Sequence, residues 1–356
     1  FWAEDRSFAL RKTIFLWNFL PLFIVFASSL RTPLDRALMI RVIASSGILA
    51  GSVGIIQSAA QVVFGVERVF AFWTGTLLPF FLGDALGGSV ASYPSLLVNI
   101  GGATVLRASA FFPDPHMLSL FLGLTLPAAI LYAFSQPSGQ RTLPIIGSSI
   151  ILIADLLTFS RGGYVGLAAG IITAGLVSMN GRVSVRTIRR TVAVALASIA
   201  LSIALALTPV GTRFLSSFSS DDGSNSERLR LWQEAIHQIA DRPLLGTGIG
   251  NYPLAVKPTA DYREPIYAHS LYLDIAAETG LLGLATFLSF LGIAAATAYY
   301  SFTKKRSPSG IALLSALAVF SAHSVFELPL FSVQVLPLFL AIAALASSEG
   351  KEKTSL

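Results

Sequence analysis

LPIIGSSIILIADLLTFSRGGYVGLAAGIITAGLVSM, residues 143–179, holds two apolar runs with Asp155 and Arg161 as its only charges. About 20 apolar residues are enough for a helix to cross a bilayer, so each run reads as a spanning helix. Comparable runs occur at 191–208 and 310–326. The whole chain of 356 residues is 54% hydrophobic and 12% charged, with a mean hydropathy of +0.70. A soluble domain carries about 25% charged residues. The ~10-residue alternating segments of a membrane β-barrel are missing. The expectation is an all-α polytopic membrane protein.

Nine spans are read, at about 13–30, 37–58, 117–134, 143–160, 164–180, 191–208, 271–298, 310–326 and 332–348. Alternating crossings gather the basic residues on one side: Arg31 and Arg36; Arg141; Arg182, Arg186, Arg189 and Arg190; Lys304, Lys305 and Arg306; Lys351 and Lys353. The positive-inside rule makes that side cytoplasmic. Arg6, Arg11 and Lys12 then face outward. The chain opens on Phe1, so either a missing upstream helix or an interfacial N-terminal segment accounts for them. Residues 59–116 stay open: VFAFWTGTLLPFFLG (69–83) fits a re-entrant piece, an interfacial piece or an extra helix pair. No signal peptide, lipidation motif or repeat is found, and the chain is taken as one integral membrane domain, 1–356. Residues 209–270 are read as a large outer loop with short helices.

The chain has no cysteine and its four histidines are scattered, which excludes disulfides and argues against a bound metal. No cofactor is expected. The net charge of +6 is read as membrane anchoring, and no nucleic-acid partner is expected.

Three residues fall on the outer side. Arg161 is followed by Gly162, Gly166 and Gly170, a smooth stripe that admits a neighbouring helix or a lipid tail. Arg161 itself reads as an anion clamp, or as an arginine snorkelling to the interface. In SERLRLWQEAIHQIADRPLLGTGIGNYP (226–253), Leu229, Trp232, Ile236 and Ile239 mark an apolar helix face. Arg228 lies on that face, while Arg230 pairs with Glu234 in solvent. Ser224 and Glu227 give a capping signal. The turn GTGIG (246–250) is an anion nest, or a turn needing positive φ. His269 begins AHSLYLDIAAETGLLG (268–283), and Ala276, Gly280 and Gly283 fall within about 40° of it on a helical wheel. Imidazole titrates near pH 6.5, so His269 suits a general base, or a capping role at the interface. Asp274 and Glu278 read as helix-contact residues. His323 and Glu327 lie one turn apart and support the site, or simply bond between helices.

Five ordered blocks resemble the O-antigen ligase and polymerase superfamily: FFPDPHMLSLFL (111–122), TFSRGGYVGL (158–167), SERLRLWQEAIHQIADRPLLGTGIGNY (226–252), AHSLYLDIAAETGLLG (268–283) and HSVFELPLF (323–331). The resemblance implies a GT-C-type glycosyltransferase in the bacterial inner membrane, a bundle of about 9–12 helices with a periplasmic loop over a lipid-facing cavity. Such enzymes move a glycan from undecaprenyl diphosphate to an acceptor hydroxyl. The family's R-x3-L arginine matches Arg161, with Val165 in the leucine position. Its H-x10-G motif matches His269 and Gly280, and its loop arginine matches Arg228. His116 and Ser270 stand where asparagine is common. The implied roles are diphosphate binding by Arg161 and Arg228 and acceptor deprotonation by His269. Gly162, Gly166, Gly280, His323 and Glu327 support them. Two guanidiniums can neutralise a diphosphate without a metal, and attack opposite the leaving group inverts the anomeric centre. The expected partners are the lipid-linked glycan, lipid A-core or another glycan acceptor, and the bilayer. Ligation to lipid A-core is the first reading. A polymerase with the same chemistry is the alternative, and a small-anion transporter of bicarbonate type the second. The transporter predicts mid-membrane charges, for which Asp155 is the best case.

Overall fold

The structure is a computed structural model that describes residues 3–91, 94–100, 102–179, 223–260, 266–305 and 307–348. Its spanning helices follow the apolar runs. Helix α1 (Arg6–Phe19) continues with a slight break into α2 (Pro21–Ser29), and α3 (Pro33–Phe64) returns. Thr32 and Asp35 close a capping box at the start of α3, Pro33 opens it without losing a needed donor, and Gly65 at φ 85° ends it. Helices α7 (Pro115–Ser135), α8 (Thr142–Leu157) and α9 (Arg161–Met179) match three expected spans. The span at 191–208 lies outside the described residues, as do Arg182, Arg186, Arg189, Arg190, Arg306, Lys351 and Lys353. The loop carries α10 (Gly223–Asp241) and α11 (Tyr252–Val256). Then come α12 (Leu271–Lys305), α13 (Ser309–His323) and α14 (Val335–Ser348).

Among the described residues five helices are long and apolar enough to cross a membrane, and α8, α13 and α14 are shorter apolar helices. Leu49, Ile56, Val62, Leu176 and Ile293 stand well exposed on them. A contiguous apolar exterior of this extent calls for lipid. The chain is an all-α polytopic membrane protein. Helix α7 runs through the middle, mostly buried, against α3, α8, α9 and α13. Small residues allow this: a Cβ on Gly51 of α3 would come within 3.3 Å of Ala154 and of the Ile150 carbonyl on α8.

The ambiguous region resolves into short pieces. α4 (Val66–Phe72) passes through a π-helical turn, Trp73–Leu77, into α5 (Leu78–Leu82), and α6 (Asp84–Val90) folds back on it. The returning arm, α6, has only 7 residues, too few to complete a spanning pair. Phe80 is 83% exposed, as befits an element lying at an interface. An antiparallel hairpin follows, β1 (Leu97–Ile100) with β2 (Ala103–Leu106), which the sequence reading did not foresee.

The outward-facing Lys12 has a structural explanation. It lies on α1, 3.1 Å from Asp274 and 2.6 Å from Glu278 of α12, with both carboxylate side chains no more than 3% exposed. The two helix-contact acids hold the N-terminal helix. Glu4–Arg242 at 2.8 Å and the exchange of hydrogen bonds between Asp5 and Asn251 fasten the same helix to the loop.

Candidate functional site at one end of the bundle

Arg161, Arg228 and His269 occupy the end of the bundle opposite Arg31, Arg141, Lys304 and Lys305. Arg161 begins α9 after a sharp turn. Phe159 there has φ 52°, a left-handed conformation unfavourable for a bulky residue. Ser160 caps the helix by accepting from the Gly163 amide at 3.2 Å. The turn is held by Arg107, which sequence reasoning missed. Its guanidinium donates to the carbonyls of Thr158 at 2.7 Å, Phe159 at 3.1 Å and Ser95 at 2.9 Å. Burial pulls its pKa down to about 10, which leaves it charged. One signal was available: Arg107 is the only charged residue between Asp84 and Asp114.

The glycine stripe meets a helix rather than a lipid tail. A Cβ on Gly162 would lie 3.2 Å from His323 Nε2, one on Gly166 would lie 3.2 Å from the Val319 carbonyl, and one on Gly170 would lie 2.8 Å from Val319. Helices α9 and α13 therefore pack backbone to backbone. His323 is fully buried beneath this contact and ends α13. Glu327 lies beyond the helix end, so the two are not one helical turn apart as expected. It reaches His116 of α7 instead, 3.7 Å from Nδ1, and the same nitrogen is 3.1 Å from Ser160 Oγ. Asp155 accepts a hydrogen bond from Ser119 on α7, a helix-to-helix contact.

Helix α10 presents Leu231, Ala235 and Gln238 as buried, while Leu229 and Ile236 are 53% and 56% exposed. The apolar face is thus rotated from the expected one, and Arg228 and Trp232 still border the inner side. Arg230 pairs with Glu227 at 2.7 Å rather than with Glu234. Ser224 lies inside the first turn, because the helix already runs from Gly223. Trp232 stacks on Phe326 at 6.4 Å, and Phe326 borders Gly162. That chain of contacts brings α10 over the end of α13 and beside α9.

The GTGIG turn uses its amides on protein carbonyls. Gly246 N donates to Arg242, Thr247 N to Ala277 and Gly248 N to Glu278. This is a positive-φ turn, with Gly246, Gly248 and Gly250 at 65°, 101° and 78°. It plugs a break in α12. Gly280 there has φ 69° and ψ −176°, and a Cβ would collide with the Leu244 backbone. The small-residue groove expected below His269 is therefore filled, and Gly280 has a structural duty. His269 itself precedes α12 with φ 47°, so the wheel does not extend to it. The next turn fixes it, through Asp274 N to Ser270 O at 2.9 Å and Leu271 N to Ser324 O at 2.9 Å.

The electrostatics join these parts. The charge of Arg228 acts on His269, Glu327 and His116, and those of Arg161 and Glu327 act on Arg107. Burial first, then Arg228, lowers the pKa of half-buried His269. Burial raises Asp114, which caps α7, and pushes Glu327 up to about 8. Among the described residues no group of three or more His, Asp or Glu is placed to hold a metal ion.

These features define a polytopic helical membrane protein with charged and titratable side chains gathered at one end. The family model described as O-antigen ligase matches residues 146–288. That stretch contains Arg161, Arg228, His269 and Gly280, so the resemblance read from the sequence is borne out there. The blocks at 111–122 and 323–331 lie outside it. The match covers less than half of the chain and supports glycan transfer of the ligase and polymerase type in general. Comparison with the curated proteins found no match.

Proposed function

We propose that this chain is a GT-C-type glycosyltransferase of the bacterial inner membrane. It takes a glycan from undecaprenyl diphosphate and passes it, on the periplasmic side, to an acceptor hydroxyl of lipid A-core. The observation that supports this reading is the packing of α10, which carries Arg228, through Trp232 onto Phe326, which borders Gly162 next to Arg161 at the same end of the bundle as His269. Arg161 and Arg228 neutralise the diphosphate, making it a good leaving group. His269, neutral at ordinary pH, accepts the hydroxyl proton as the acceptor oxygen bonds to the anomeric carbon. The carbon–oxygen bond to the diphosphate breaks on the opposite face, which inverts the centre. A positioned base contributes ~10²–10⁴-fold.

The test is transfer by purified protein given lipid-diphosphate glycan and candidate acceptors. Arg161→Ala, Arg228→Ala and His269→Ala should each abolish transfer in folded protein. Growth of the lipid-linked glycan without use of lipid A-core would make it a polymerase. Bicarbonate flux without transfer would make it a transporter. Robust turnover by His269→Ala would remove the base assignment.

A further inference from the structure

Glu327 is a carboxyl group set among cations. Its side chain is 12% exposed, between α13 and α14, and Oε1 lies 3.7 Å from His116 Nδ1. The charged or titratable groups that act on it are Arg107 from the segment before α7, Asp114 from the α7 cap, His116 from α7 and Arg228 from α10. Beyond these, Arg161 acts on Arg107, and His269 and His323 act on His116. The neighbouring residue, Phe326, stacks on Trp232, one turn along α10 from Arg228. A carboxylate so placed lies in the field that the arginines offer to an anion.

We propose that Glu327 is part of the donor site: the ionised fraction of its carboxyl balances Arg228 and Arg107 while the site is empty, and that fraction takes up a proton from solvent when a prenyl diphosphate binds. The physical reason is that like charges in a shared, poorly hydrated site cannot both remain ionised. The diphosphate is held by more cations and keeps its charge, so the carboxylate becomes the neutral acid. Burial already pushes Glu327 up to about 8, so little additional repulsion is needed. When the diphosphate leaves, the same fraction of the proton leaves, and above pH 8 the arginines regain most of their internal counter-charge. The proposal rests on the diphosphate-binding part of the function above and is independent of which acceptor is used.

The experiment is calorimetric titration of the full chain in detergent with farnesyl diphosphate, in two buffers of different ionisation enthalpy. The proton taken up is limited by the ionised fraction, ~0.1 at pH 7, ~0.5 at pH 8 and ~0.9 at pH 9 for a group titrating at about 8. The affinity of the unaltered protein should therefore fall up to ~10-fold per pH unit above 8. Glu327→Gln should bind at least as tightly, take up no such proton and lose that pH dependence. Three results would each overturn the proposal: no uptake by the unaltered protein at pH 9, the same uptake by Glu327→Gln, or loss of binding in folded Glu327→Gln. The first needs no variant, so a misfolded Glu327→Gln would leave it decisive. Proton-coupled binding without glycan transfer would reject the enzyme reading alone, whereas absence of farnesyl diphosphate binding would reject both.

Discussion

Replacing Lys12 by Met tests how the N-terminal helix is held. The ammonium lies 3.1 Å from Asp274 and 2.6 Å from Glu278, and those side chains are only 2% and 3% exposed. Losing the cation leaves two buried carboxylates facing each other. Breaking a buried pair in this way costs ~3–5 kcal/mol, chiefly because the remaining charges lack water. For a chain of this size that is on the order of a 10 °C fall in melting temperature. The attraction itself is not the main stabilising term. Lys12→Met combined with Asp274→Asn and Glu278→Gln should therefore recover most of the loss, since no charge is then orphaned. The assay is thermal unfolding in detergent across this series, with limited proteolysis reporting release of α1. A single variant that melts like the unaltered protein, or a triple variant no better than the single, would refute the reasoning.

Further outcomes follow from the same contacts. Gly280→Ala places a side chain at a glycine-only backbone conformation and against Leu244, a cost of ~3–5 kcal/mol that should show as a poor yield of monodisperse protein. Gly170→Val should force α9 from α13 and cost ~1–3 kcal/mol in thermal unfolding, since a Cβ would already lie 2.8 Å from Val319. Arg107→Met removes donors from three carbonyls and should destabilise by about 3 kcal/mol or more while lowering transfer. Arg107→Lys should rescue only part of this, because an ammonium lacks the planar fork. His269 has its pKa lowered by burial and by Arg228, so the base stays neutral as pH falls through 6.5. The acid limb of kcat/KM, which reports the free enzyme, should lie below pH 6.5, and a limb above it would count against His269 as the base.

The spanning helices were legible because crossing a bilayer demands little beyond a sufficiently long apolar run. Lys and Arg then ordered the ends, and that order brought Arg161, Arg228 and His269 to one end. The face of α10 was misread for a related reason. Leu229 and Ile236 point outward, and in a membrane protein apolar periodicity does not separate outward from inward. The Gly280 break and the turn lodged in it depend on residues some 35 positions apart, from Leu244 to Gly280, which no local pattern couples. Lys12 is separated from Asp274 by 262 residues, and its pairing was invisible for the same reason. Arg107 was passed over because its role lies in shaping the turn before Arg161. Its isolation in an uncharged stretch was the only clue.

The turn at 243–251 and the break in α12 are cut to each other, amide to carbonyl, with Leu281 N donating to Pro243 O at 2.8 Å as well. They are thus one joint divided between two parts of the chain. A chimera that grafts a relative's outer loop onto this bundle must carry residues 277–281 along with it. Transplanted alone, the foreign loop would meet a socket made for another key, and His269, a few residues upstream, would inherit the misfit.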